Sequence, residues 1–150
     1  AGGANTNNPR DYGYLGSLSR SILAAIPGST NVSLPYNKVL YSTNPNKLYP
    51  NAVSDGMKLL KQYTVQYHNA CPNTKMALIG YSSGAVIMMN DLCYGGSGQG
   101  TPQINPLING KYIVGSVAYG EETYTPGQPW NKGTCTSGKG TAPRANPSLC

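Results

Sequence analysis

The segment MALIGYSSGAVIM, Met76 to Met88, constrains the fold more than any other part of the chain. Residues 75–81, KMALIGY, form a continuous apolar run, the pattern of a parallel strand buried on both faces. Residues 84–92 are apolar and helical, and only a glycine- and serine-bearing turn separates the two runs. The rest of the chain extends this pairing. From Tyr14 onward, Leu15, Leu18, Ile22, Ala25 and Ile26 recur at helical spacing, and Pro27-Gly28 supplies the stop. NKVLYS, 37–42, is a short strand candidate, followed by a Pro- and Asn-rich loop to Asn51. Val53, Met57, Leu60, Thr64 and Tyr67 share one face of a second helix, which ends before the Cys71-Pro72-Asn73 turn. KYIVGSVAYG, 111–120, reads as another buried strand. Beyond Glu121 the chain is rich in Gly, Pro and Thr and has no periodicity. The order helix, strand, helix, strand, helix, strand predicts an α/β fold with a mainly parallel central sheet and helices on both faces.

Gly80-Tyr81-Ser82-Ser83-Gly84 fits the G-x-S-x-G spacing, and each position has a physical reason. A sharp strand-to-helix turn holds Ser82 in strained backbone geometry with its hydroxyl clear of the sheet. The two glycines let strand and helix pass closely. The new helix directs its free N–H groups and the positive end of its dipole at the serine. Ser82 is therefore the candidate nucleophile, and the N–H of Ser83 a candidate oxyanion donor. The competing reading is a tight turn without chemistry.

Composition narrows the class. Only 11% of the 150 residues are charged, Gly and Pro number 19 and 12, and there are 12 Tyr but no Phe. This suits a secreted protein with a hydrogen-bonding surface rather than a disordered one. The formal charge of +6 is scattered without a run of five or a basic helical stripe, which argues against nucleic acid. No apolar run approaches the ~20 residues of a membrane helix. The chain starts at Ala1 without an initiator Met or signal peptide, as a processed or trimmed chain would. Cys71, Cys93, Cys135 and Cys150 lack C-x-x-C spacing, so disulfides are expected rather than zinc. Cys71 with Cys93 and Cys135 with Cys150 is one pairing; the sequence alone does not choose. Asn31-Val32-Ser33 is the only glycosylation sequon.

ACPNTKMALIGYSSGAVIMMNDLC, residues 70–93, resembles the elbow region of the cutinase family, which includes acetylxylan esterases. YGEETYTPGQPWNKGTC, 119–135, resembles that family's later G-D-P … N-x-G-T-C segment, and NTNNPRDYGYLGSL, 5–18, its first loop and helix. The resemblance covers nearly the whole chain and implies one cutinase-like α/β-hydrolase domain over residues 1–150: a three-layer sandwich, incomplete at both ends. It implies Ser82 as nucleophile, with Ser83 and Thr6 in the oxyanion hole. It implies a secreted, monomeric serine esterase acting on plant wall esters such as acetylated xylan or cutin, with a polymeric or small ester as partner. No cofactor or metal is implied, nor a nucleic-acid or membrane partner. The alternative is a catalytically dead module of the same fold that binds wall polymer. Ala4, Asn8, Ser83 and Glu121-Glu122 stand where the family usually has Arg, Glu, Gln and Asp-Pro.

One feature resists the pattern. α/β-Hydrolases carry their acid and then their histidine after the serine. Here Asp91, Glu121 and Glu122 are the only acids after Ser82, and the single histidine, His68, precedes it. His68 leads into the strand at the end away from the elbow, so a surface or helix-end role is expected. In the family the triad Asp and His follow the segment that ends here at Cys150, and a first strand with a cysteine precedes Ala1. The cysteine matching Cys71 usually pairs with that one, and partners for Cys135 and Cys150 usually lie further on. The 150 residues are thus expected to be the middle of a longer hydrolase. Trp130 and the tyrosines read as packing residues or groove walls.

Overall fold

The computed structural model describes residues 12–36, 45–93, 105, 112–129, 131, 133–134 and 136–149; for 45–50 only the backbone is described. A 3-10 turn, Gly13–Leu15, leads into helix α1, Gly16–Ala25. The helix stops where Pro27 and Gly28 require: the N–H of Ile26 closes the last turn on Ile22 O at 2.9 Å, and the Ser29 hydroxyl caps Ile26 O at 2.6 Å. The strand expected at 37–42 lies outside the described residues.

Helix α2 runs Pro45–Ala70, longer at its amino end than the 53–67 periodicity suggests. Pro45 takes the first position, where the missing N–H has no intrahelical partner to lose. The face read from the sequence is the buried one. Val53 and Met57 are fully inaccessible, and Leu60 and Thr64 are nearly so. Val53, Met57 and Leu60 meet Val86, Ile87 and Met88 in an apolar cluster with Leu34, Tyr36 and Leu78. Each such side chain contributes roughly 2 kcal/mol by leaving water, as an upper estimate.

Strand β1, Met76–Tyr81, feeds through Ser82 into helix α3, Ser83–Leu92. Eight of the ten α3 residues are buried, so it is a helix without a solvent face, as its all-round apolarity indicates. Strand β2, Ile113–Tyr119, pairs with β1 in parallel, in register from Ala77↔Gly115 to Tyr81↔Tyr119. The parallel sheet with α3 packed on β1, and α2 on α3, is the predicted α/β arrangement.

Two expectations need correction. Residues 111–120 read as a buried strand, yet Val114, Val117 and Tyr119 are 61%, 41% and 47% exposed. Among the described residues, β2 has β1 on one edge and its apolar side chains lack cover. Apolarity records what a strand is suited to meet, not whether that partner is adjacent. Cys71 is a free thiol, so the pairing of Cys71 with Cys93 is not made. Cys135 and Cys150 lie outside the described residues, as do Thr6 and Trp130.

An apolar groove of about 510 Å³ opens between α1, the 28–34 segment and β1, lined among others by Leu15, Ile22, Ile26 and Leu78.

Candidate active site

Ser82 stands between the last residue of β1 and the first of α3 with φ 52° and ψ −126°. It is the only non-glycine with positive φ among the described residues. Such a backbone costs roughly 1–3 kcal/mol and persists only where its surroundings over-determine it. Here they do. The N–H of Ser82 donates to Tyr119 O at 2.9 Å, which extends the β1–β2 ladder by one residue. Its carbonyl accepts from the N–H groups of Ala85 at 2.8 Å and Val86 at 3.1 Å, so the helix starts on the serine itself. Gly80 makes the turn possible: a Cβ there would lie 2.7 Å from both Ala85 Cα and Gly84 O. Strand and helix therefore cross at backbone contact. The Ser82 side chain is half-buried at the carboxyl end of the strand.

Ser83 is buried, and its hydroxyl shares a 2.8 Å hydrogen bond with the Tyr36 hydroxyl. Its side chain is thus committed to packing, while its N–H, first in α3, belongs to the set without intrahelical acceptors. Burial pushes the Tyr36 phenol up from its ordinary value, against the lowering by the Ser83 bond and with a smaller push from the Glu122 charge.

Glu122 is the neighbour that sequence reasoning did not place. The Ser82 hydroxyl donates to Glu122 Oε1 at 3.4 Å. In the sequence Glu121-Glu122 is only a departure from a family pattern, but parallel pairing brings the turn after β2 beside the turn after β1. A second set of contacts holds that turn. The N–H groups of Gly140, Ala142 and Arg144 donate to the carbonyls of Tyr124, Glu122 and Thr123, each at 2.9 Å. The buried Arg144 guanidinium donates to Thr123 Oγ1 at 2.9 Å and to Asn90 Oδ1 on α3 at 3.0 Å. The Thr123 hydroxyl in turn donates to Glu121. Gly140 is required at this crossing, because a Cβ would fall 2.0 Å from Glu122 O.

The other acid and the histidine are elsewhere. Asp91 lies nine residues along α3 from Ser82, ~13 Å at helical rise. It is fully buried and accepts from Asn105 Nδ2 at 3.0 Å; the same amide donates to Thr64 Oγ1. Burial raises the Asp91 carboxyl to about 6, partly offset by the Asn105 bond and the Lys61 charge. The His68 ring sits 3.9 Å from the Tyr112 ring, and the Tyr112 carbonyl accepts from the N–H of Met76. His68 therefore lies at the amino end of β1, a strand's length of ~20 Å from Ser82. Among the described residues no cluster of His, Cys, Asp or Glu could hold a metal ion.

A family model described as Cutinase matches residues 2–143. The chain is 33% identical over 144 residues to Cutinase 11 of Verticillium dahliae, covering 93% of this chain and 48% of that protein. It is 31% identical over 141 residues to the acetylxylan esterase of Hypocrea jecorina, covering 91% and 47%. Among solved structures, the catalytic core domain of acetyl xylan esterase from Trichoderma reesei superposes with a TM-score of 0.77 at 29% identity. That match covers 99% of this chain and 76% of the other. An acetylxylan esterase at 25% identity gives a TM-score of 0.76 over 98% and 73%. The chain thus spans about half the length of these two curated relatives.

Proposed function

Because the chain belongs to the cutinase family, we propose that it is the nucleophile-bearing part of a secreted serine carboxylester hydrolase acting on plant wall esters. The observation that carries this reading is the strained Ser82 between a parallel strand and the amino end of α3. A turn with no chemistry has no physical reason to hold a serine at positive φ with its side chain half-buried at the carboxyl end of the strand.

In the proposed reaction the Ser82 hydroxyl gives its proton to a base as Oγ bonds to the ester carbonyl carbon. The N–H of Ser83 and the hydroxyl or N–H of Thr6 hold the resulting oxyanion. The tetrahedral species collapses, the alcohol leaves with the proton, and water then releases the acyl group as the acid. Neither His68 nor Asp91 is near enough to serve Ser82. The coverage of the relatives supports a base and orienting acid supplied from outside these 150 residues. Both cutinases and acetylxylan esterases stand among the relatives; the solved neighbours and the QPWNKGTC segment favour small acyl groups on xylan. Cys93 is disulfide-bonded, which supports an oxidising, extracellular destination.

The test is the natural full-length product treated with a fluorophosphonate probe and assayed on acetylxylan and short aryl esters. One adduct on Ser82, and loss of at least ~1,000-fold in turnover by Ser82→Ala, are expected. No adduct together with saturable polymer binding would leave the wall-binding module instead.

A further inference from the structure

Glu122 stands where the family usually has Pro. Its carboxylate accepts a hydrogen bond from the nucleophile candidate, and it is held by its own scaffold. The carbonyl of Glu122 is bound by Ala142, its neighbours by Gly140 and Arg144, and the crossing admits only glycine at 140. The backbone that carries the Glu122 side chain is therefore set in one place. The Glu122 charge also adds to the rise of the Tyr36 phenol. Among the described residues, Ser82 also has two uncharged neighbours: Tyr36 through Ser83, and the Tyr81 ring packed 5.0 Å from that of Tyr14.

Resting on the ester-hydrolase reading above, we infer that Glu122 determines specificity by charge: its carboxylate beside the Ser82 hydroxyl favours esters that are neutral or cationic around the scissile carbonyl and rejects anionic ones. An acyl group bound to Oγ must sit within a few ångströms of Glu122 Oε1, because Oγ itself is 3.4 Å away. At that range beside a half-buried serine, like charges repel strongly enough to change selectivity several-fold. Neutral acetyl groups on a polysaccharide pass this filter, and acyl groups that carry a carboxylate do not.

The experiment compares the full-length protein with its Glu122→Gln and Glu122→Asp variants on three aryl esters: acetate, hemisuccinate and trimethylammonioacetate. Taking each kcat/KM relative to acetate, and comparing that ratio between variant and wild type, cancels the intrinsic reactivity of the esters. In Glu122→Gln the hemisuccinate ratio should rise about tenfold and the cationic ratio should fall. Glu122→Asp should keep the wild-type order, and added salt should shrink the difference between wild type and Gln variant. Ratios that stay the same in Glu122→Gln, with acetate turnover and Ser82 labelling present in the wild type, would overturn the inference and leave the hydrolase reading intact. A wild type that neither labels nor turns over acetate would overturn both.

Discussion

At the residue scale, chemistry and stability are set by groups placed against their ordinary preference. Ser82 sits at positive φ, where a non-glycine residue is strained. Asp91 sits in the core with no partner for its Oδ1 among the described residues and its carboxyl raised to about 6 from the ordinary 3.8. The second has a consequence for stability. The folded protein holds the Asp91 proton more tightly than the unfolded chain does, so this group's contribution is full below about pH 4. It is lost as pH rises through about 6, and the loss amounts to about 3 kcal/mol at most. Asp91→Asn keeps an acceptor for Asn105 without the charge. Urea titrations from pH 4 to 7 should show stability falling less steeply with pH in Asp91→Asn than in the wild type. Parallel curves would mean that Asp91 ionises without consequence.

At the scale of elements, the decisive unit is β1–Ser82–α3. Its strand side is pinned by Tyr119, and its helix side by Ala85 and Val86. Its closeness depends on Gly80. Gly80→Ala would drive a methyl into the backbone of Gly84 and Ala85, which have no flexible end to yield. A loss of about 3 kcal/mol or more is expected, at the upper end of overpacking costs, together with slower labelling of Ser82. Chemical denaturation and probe kinetics on the same sample read both effects. A fully stable Gly80→Ala protein would show that strand and helix can separate without cost. This unit was the most legible in the sequence, because every term in it is local. An apolar run, two glycines at set spacing and an apolar helix leave one geometry open. The face of α2 was legible for the same reason, since Val53, Met57, Leu60 and Thr64 repeat at helical period.

At the scale of the whole molecule, residues far apart in the chain are joined by buried polar contacts. Arg144 reaches Asn90, 54 positions earlier, and Thr123, 21 positions earlier. It thereby couples the aperiodic C-terminal stretch to both the central helix and the Glu122 turn. Arg144→Met keeps much of the volume but leaves Asn90 and Thr123 short of a donor. A destabilisation of about 2–4 kcal/mol follows from burying unsatisfied polar groups. Faster hydrogen exchange at the Glu122 and Thr123 turn than at β1 should accompany it. Uniform acceleration across the protein would argue that Arg144 serves only global stability. By contrast, the exposed Lys58–Asp55 pair at 3.7 Å contributes little.

The sequence by itself determined the α/β class, the strand–serine–helix turn, the buried face of α2 and the remoteness of His68. Each of these depends on residues within about one element of each other, where period and steric permission decide. Only the tertiary structure decided the rest. Parallel pairing of β1 with β2 set Glu122 beside Ser82, and the ladder from Gly140 to Arg144 holds it there. Burial among α2, α3 and Asn105 turned Asp91 into a proton-holding core residue. The surroundings of β2 left an apolar strand exposed among the described residues, and Cys71 remained a free thiol. Such outcomes depend on which distant groups become neighbours, and a side chain's own chemistry carries no record of that.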